Sequence, residues 1–265
     1  MAEPLPQGWK TYNEFVHGIA TNRLPASADL QGQTLQLNLG DHALSLTFVG
    51  PNEVLWNEVG TADGSGRDGC EVLKVAPHTF FIDMTFADRP LQALTAIVNT
   101  QSRRVLVVRC EIRSAEQAGA EPRVAQIFLP GTLGRAPDLV TGFAPHETRD
   151  LIGLRTWQTY SPQHTYEHSY LSSQRYAWQC LVGVQRGHGD VDMASYYKFD
   201  EQQYLFTFRE FLIPVASVFF FNFASGRSTG KFLGLTGAGQ VANSPAGAFM
   251  TTASTTVYPP EHAPV

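Results

Sequence analysis

Apolar and polar residues alternate with a period of two along most of the chain. Leu35, Leu37 and Leu39 are separated by Gln36 and Asn38, and Leu44, Leu46 and Phe48 by Ser45 and Thr47, as in strands that bury one face. Gly40 and Asp41 between these runs predict a hairpin turn. Similar short stretches recur at 80–86, 91–98, 105–112, 123–129, 166–171, 194–199, 204–211 and 215–223, with turn residues between them. Helix is expected only at 9–19, with a further turn near 146–151.

The chain also repeats itself. Leu30-x-Gly32 returns as Leu151-x-Gly153, Trp56-Asn57 as Trp178-Gln179, Pro90 as Pro214 and Arg103 as Arg227. All four anchors are separated by about 121 to 124 residues, so the halves read as a duplication. Pro and Gly cluster between them, as a linker requires. The division is an N-terminal segment 1–28 with the short helix, a first barrel 29–134, a linker 135–150 and a second barrel 151–265 carrying the ligand site. Two units of many short antiparallel strands predict an all-β fold of paired up-and-down barrels, each able to hold one small ligand. A pair of β-sandwiches is the alternative.

Composition narrows the function. With 19 Lys+Arg against 24 Asp+Glu and a net charge of -5, the chain lacks the basic excess that binds a phosphate backbone, and no nucleic-acid partner is expected. Charged residues make up 16%, against about 25% on average, while 17 Phe, 9 Tyr and 4 Trp favour strands around apolar cavities. The longest apolar run, 215–223, falls short of the roughly 20 residues of a membrane span, and the first residues lack a secretory pattern. A cytoplasmic protein without a membrane partner is expected. Cys70, Cys110 and Cys180 have no metal-binding spacing and leave an odd thiol. A homodimer would have to form through loops or outer faces.

The stretch 151–168, with Tyr160, Ser161-Pro162, His164, Tyr166, Glu167 and His168, resembles the MoaF family, named for molybdenum cofactor biosynthesis protein F. Tyr176, Trp178, Tyr196-Tyr197-Lys198, Arg209-Glu210, Thr229-Gly230-Lys231 and Asn243-Ser244-Pro245 continue the resemblance. It implies two lipocalin-like (calycin) barrels, and its name implies a non-catalytic carrier linked to molybdenum cofactor or amine metabolism. The second half is also similar, more distantly, to phenolic acid decarboxylases, cofactor-free calycin barrels. That similarity places a catalytic tyrosine on Tyr160, a pocket tyrosine on Tyr166 and a catalytic glutamate on Glu210. Gln158 stands where those enzymes have another catalytic tyrosine, and Gln179 where they have the arginine that handles the carboxylate. A site with different chemistry is implied.

Phe206, Phe208, Glu210 and Leu212 share one face if they lie on a strand. Glu210 among apolar neighbours would have a raised pKa and serve as an acid or base, with Tyr160 and Tyr166 stabilising a developing anion. Gln158, His164, His168, Trp178, Gln179, Tyr197 and Phe208 are the expected ligand-binding residues. His164-x-x-Glu167-His168 matches a zinc spacing on a helix, but on a strand residues four apart lie about 13 Å from each other, so no metal is expected. The Gly-rich stretches 64–69 and 234–239 read as hairpin loops rather than phosphate cradles. Taken together, these residues predict a cofactor-independent lyase or isomerase acting on a small aromatic or conjugated ligand. In the first half Phe86 and Leu39 replace Glu210 and Tyr160, so that barrel reads as structural; His42, Glu58 and Asp83 are its remaining candidates.

Overall fold

The computed structural model describes residues 8–59, 64–134 and 140–265. The first half runs β1 (Thr34–Asn38), β2 (Ala43–Gly50), β3 (Glu53–Val59), β4 (Ser65–Ala76), β5 (Thr79–Thr85), β6 (Gln92–Asn99), β7 (Arg104–Ile112) and β8 (Val124–Leu133). Each strand pairs antiparallel with the next, and β1 closes onto β8 through Leu37 opposite Leu133. The second half runs β9 (His146–Glu147), β10 (Leu154–Ser161), β11 (His164–Ser172), β12 (Arg175–Val182), β13 (Gly189–Asp200), β14 (Gln203–Arg209), β15 (Val215–Asn222), β16 (Arg227–Leu235) and β17 (Val241–Thr255). Strands β10 to β17 close in the same up-and-down order, since β10 pairs with both β11 and β17. β9 adds to the free half of β13. Closure pairs both sides of β1–β8 and β10–β17, leaving the two-residue β9 as the sheet edge among the described strands.

The duplication is visible in backbone and side chains alike. Gly32 and Gly153 both have positive φ, 77° and 91°, and donate to Phe48 O and Tyr170 O respectively. The hairpin at Gly40 forms as expected, with Leu39 N donating to His42 O at 2.8 Å. The Gly-rich stretch 64–69 is not a free loop: from Ser65 onward it is the start of β4, paired with β3 from Asn57 to Glu53. Gly66 is needed there because a Cβ would stand 2.8 Å from the Trp56 ring.

Three apolar layers hold the molecule together. Leu35, Leu37, Leu46, Phe48, Ile82 and Val107 belong to the interior of the first barrel. The second interior is largely aromatic, with Tyr170, Tyr176, Phe206, Phe219 and Phe221. A third layer joins the barrels, packing Phe81, Ile97, Leu106 and Val108 against Phe199, Leu205, Val218 and Phe220. The run at 215–223 is continuously apolar because β15 is buried on both faces: Val215, Phe219 and Phe221 face the barrel, while Ala216, Val218 and Phe220 face the other barrel. Polar links cross the same interface. Lys231, 1% exposed, pairs with Asp83, whose carboxylate also accepts from Thr95 and Asn243.

The expected N-terminal helix shrinks to one turn, α1 (Tyr12–Phe15), capped by Thr11 and Glu14. Its burial comes from the second barrel, not the first. The Tyr12 hydroxyl donates to Phe232 O at 2.7 Å, Trp9 packs on Trp178 at 5.8 Å, and Gly247 N donates to Ile19 O. A second short helix, α2 (Ala115–Ala118), was not expected; the capping box Ser114-x-x-Gln117 starts it.

Candidate functional site

The inside of the second barrel contains a small cavity of about 40 Å3. Its walls include Tyr160, Tyr166, His168, Tyr176, Trp178, Phe208 and Glu210, and Phe15 and Ile19 of the N-terminal segment contribute as well. Strand alternation explains the gathering. Tyr166 and His168 sit on the inner face of β11, Tyr176 and Trp178 on that of β12, and Phe206 and Phe208 on that of β14.

Glu210 reaches the cavity differently from the expectation. β14 ends at Arg209, and Glu210 N closes the following turn on Val215 O at 3.0 Å. Leu212, expected on the same buried face, lies in that turn and is exposed. Glu210 nevertheless continues the inward alternation and is 8% exposed.

Asp192, which the sequence reading missed, faces Glu210. β13 pairs Met193 with Arg209 and Ala194 with Phe208, so the next position of the antiparallel ladder sets Asp192 against Glu210. Directly opposed residues place their Cβ atoms about 4.5–5.5 Å apart. Asp192 is 1% exposed. One of its oxygens accepts from Trp178 Nε1 at 3.1 Å, while the other is buried without a side-chain hydrogen-bond partner among the described residues. Burial pushes the pKa of Glu210 well up, and the neighbouring charges of Asp192 and Asp190 push it further. Burial and Asp190 raise that of Asp192 in the same way. No lysine or arginine is among the described residues lining the cavity, and the charge of Arg175 lowers the pKa of Asp192 by less than burial raises it, so the pair retains a proton.

The tyrosines are donors, not bases. Burial pushes Tyr160, Tyr166 and Tyr176 well above the ordinary phenol value. Tyr166 donates to Gln185 Oε1 at 2.8 Å, so Gln185 orients it. His168, packed among Tyr170, Tyr176 and Phe206, is pushed down to about 3 by burial and is neutral at pH 7.

Four other expected ligand residues lie elsewhere. Gln158 is fully buried, donating to Thr156 and accepting from Ser228. His164 contacts Ser161 Oγ and is covered by Gly18. Gln179 falls on the outer face of β12 and donates to Glu167, which also holds Arg155 and Trp157. Tyr197 belongs to the layer between barrels, stacked on Phe128 at 4.8 Å, its hydroxyl donating to Glu147. The fault is one of parity: Gln179 neighbours Trp178, and Tyr197 neighbours Tyr196, so each points the opposite way.

The first barrel does have ionisable groups inside. Glu58, 7% exposed, pairs with Arg109, and both line a cavity of about 180 Å3 with Trp56 and Phe86. Asp83 lies between the barrels with Lys231, and His42 is in the β1–β2 turn. Trp56 Nε1 donates to Asp68 at 2.7 Å, repeating the Trp178–Asp192 bond of the second barrel.

Comparison with known proteins agrees with this duplicated architecture. Residues 7–114 match the MoaF N-terminal domain and residues 145–256 the MoaF C-terminal domain. The Protein MoaF of Klebsiella aerogenes is 36% identical over 184 residues, covering 65% of this chain and 69% of that protein. Among solved structures, a chain from Burkholderia vietnamiensis provisionally named a beta-lactamase aligns with a TM-score of 0.32, at 14% identity over 38% of this chain and 94% of its own. The DNA polymerase III subunit beta of Pseudomonas aeruginosa aligns at 0.14, with 8% identity over 91% of this chain and 84% of its own. Neither value carries a functional argument. With both halves matched in order and a relative sharing more than a third of its aligned residues, the chain belongs to the MoaF family.

Proposed function

We propose that the second barrel is the active site of an acid–base enzyme, a lyase or isomerase acting on a small aromatic or conjugated molecule. What supports the reading above all is the pair of buried carboxyl groups: Glu210, which lines the aromatic cavity, and Asp192 beside it, one position beyond the Met193–Arg209 pair of β13 and β14. Such a pair with one proton holds a base and an acid side by side. The ionised member takes a proton from a carbon of the substrate, leaving an electron pair spread over the conjugated system. Tyr160 donates a hydrogen bond to the oxygen on which that charge collects, and Tyr166 joins it by turning its hydroxyl away from Gln185. The protonated member returns a proton to another atom, and the pair regains its starting state, so no redox equivalent is consumed. Phe15 and Ile19 close the cavity against water, which strengthens each of these interactions.

Two features separate this site from that of the phenolic acid decarboxylases. Gln179, at the position of their arginine, faces outward, and the described lining carries no cation for a substrate carboxylate. The cavity is also small enough that a ring-sized substrate requires Phe15 and Ile19 to move aside. A neutral substrate fits this environment better than an anion. The same lack of cations weighs against a phosphorylated pterin.

A panel of neutral phenols, quinones and enones incubated with wild type, Glu210→Gln and Asp192→Asn tests the reading by product analysis. Conversion by wild type that falls about a hundredfold or more in Glu210→Gln, with binding retained, is the expected result. Undiminished conversion by Glu210→Gln overturns the assignment. Binding without conversion by wild type would identify a carrier instead.

A further inference from the structure

We propose that the outer face of the second barrel carries an anion site of its own, built on Arg209, Arg149 and Ser195, and that its ligand is a small organic phosphate. Arg209 stands next to Glu210 in the chain, yet the acid–base reading uses Glu210 alone. Strand alternation turns the two apart, Glu210 towards the cavity and Arg209 towards a groove outside it.

The register of β13 builds the groove. Met193 pairs with Arg209 on β14 and with Arg175 on β12, so Arg175, Met193 and Arg209 form one row across the outer face. Beyond Met193, β13 parts from β12 and takes up β9 instead, with Tyr197 opposite Glu147. The divergence opens a space of about 520 Å3, lined by Arg149, Gln174, Met193, Ser195 and Arg209 among others. A volume of this order is that of a small-molecule site rather than of a single ion.

Its two guanidiniums have neutral partners. Among the described residues Arg209 has Met193 Sδ, at 3.6 Å, as its hydrogen-bond acceptor, and a thioether is a weak one. Its other nitrogens are neither bonded nor sealed from solvent. Arg149 donates to Ser173 Oγ at 2.8 Å and to Pro264 O. Glu147, the acid of the lining, accepts from the Tyr197 hydroxyl. Burial lowers the pKa of Arg209; Glu121 opposes this from beyond ion-pair contact, and Arg113 and Arg175 add like charges. Arg175 itself lies 5.5 Å from the Phe211 ring centre rather than against a carboxylate. A half-buried cation among like charges is costly until an anion joins it. In a chain of net charge -5, this gathering of arginines is a local feature. The donors also select the anion. Two guanidiniums, the Ser195 hydroxyl and the Gln174 amide offer more N–H and O–H groups than the two oxygens of a carboxylate take up. A phosphate monoester brings three strong acceptor oxygens and a charge of about -1.5 to -2, and Met193 gives its carbon part an apolar wall.

Isothermal titration of the full chain with ribose 5-phosphate and phenyl phosphate, against ribose, phenol and benzoate, tests the site. Either ester should bind at least about tenfold more tightly than its uncharged parent and than benzoate. Arg209→Gln should weaken that binding about tenfold or more while thermal melting shows an intact fold. Arg149→Gln, a change at an exposed side chain, should weaken it several-fold and reads the site even if Arg209→Gln does not fold. Arg67→Gln removes the same charge from the exposed surface of the first barrel and should bind as wild type does. Binding of neither ester, equal binding of benzoate, full affinity in both Arg209→Gln and Arg149→Gln, or an equal loss in Arg67→Gln would each overturn the proposal. Failure here leaves the acid–base reading of the second barrel standing, because the groove and the cavity share no lining residue.

Discussion

The two barrels share a strand order and a buried indole bonded to an aspartate, yet their centres differ. In the first, Trp56 donates to Asp68 and the neighbouring inward position is Phe86; in the second, Trp178 donates to Asp192 and that position is Glu210. One exchange of Phe for Glu turns an ordinary hydrogen-bond acceptor into half of a crowded acid pair. A common scaffold thus sets where polar groups stand, and a single neighbour sets what they do.

The comparison breaks first at the cores. Phe221→Ala should cost about 3–5 kcal/mol in urea unfolding, because its ring packs on Phe206 at 5.2 Å and on Tyr170 at 6.2 Å with little room to collapse. In the aliphatic first interior, the smaller truncation Ile82→Val should cost about 0.5–1.5 kcal/mol.

The acid pair gives a sharper contrast, since the same substitution should act with opposite sign in the two barrels. Glu210 and Asp192 have folded pKa values raised above their unfolded ones. Their contribution is fully present below the unfolded carboxyl value near pH 4 and is lost as pH rises through the folded values. Asp192→Asn should therefore stabilise the protein by about 1–3 kcal/mol at pH 8 and by less at pH 5, measured by urea titration at both. Asp68→Asn, which removes a charged acceptor from Trp56 and from Ala87 N, should destabilise by about 1 kcal/mol. Equal signs for the two variants would dissolve the contrast.

His168 shapes the acid side. Its folded pKa is depressed to about 3 by burial, so the unfolded chain takes up a proton first, and stability falls as pH drops from about 6.5 towards about 3. His168→Phe should flatten that limb. A similarly small effect is expected at Gln185→Leu, which frees the Tyr166 hydroxyl from its acceptor at a cost of about 1 kcal/mol in thermal unfolding.

Much of this was legible in the sequence. Period-two alternation gave β1, β2, β5 to β8, β11 and β13 to β15, and the Trp and Gly anchors gave the duplication. Glu210, Tyr160, Tyr166, His168, Trp178 and Phe208 were all found and meet at one cavity. Strands such as β4 and β17 escaped because Gly, Ser and Pro interrupt them, their backbones being held by neighbouring strands rather than by propensity. Asp192 escaped because an aspartate in a polar stretch reads as exposed; its burial depends on the register of β13 against β14, which no local pattern encodes. Glu58 was a candidate, but its partner Arg109 escaped for the same reason, being 51 residues away in sequence and brought to it by barrel closure.

The N-terminal turn closes the barrel built from the far half of the chain. Tyr12 finds its acceptor on Phe232, 220 positions later, and Ile19 finds its donor on Gly247. These are contacts of extreme sequence separation, the sort that makes folding slow. On a ribosome these residues must wait, unpartnered, until β16 and β17 have emerged. The first barrel can close in the meantime, so the order of synthesis leaves the second cavity to be sealed after the first barrel is complete.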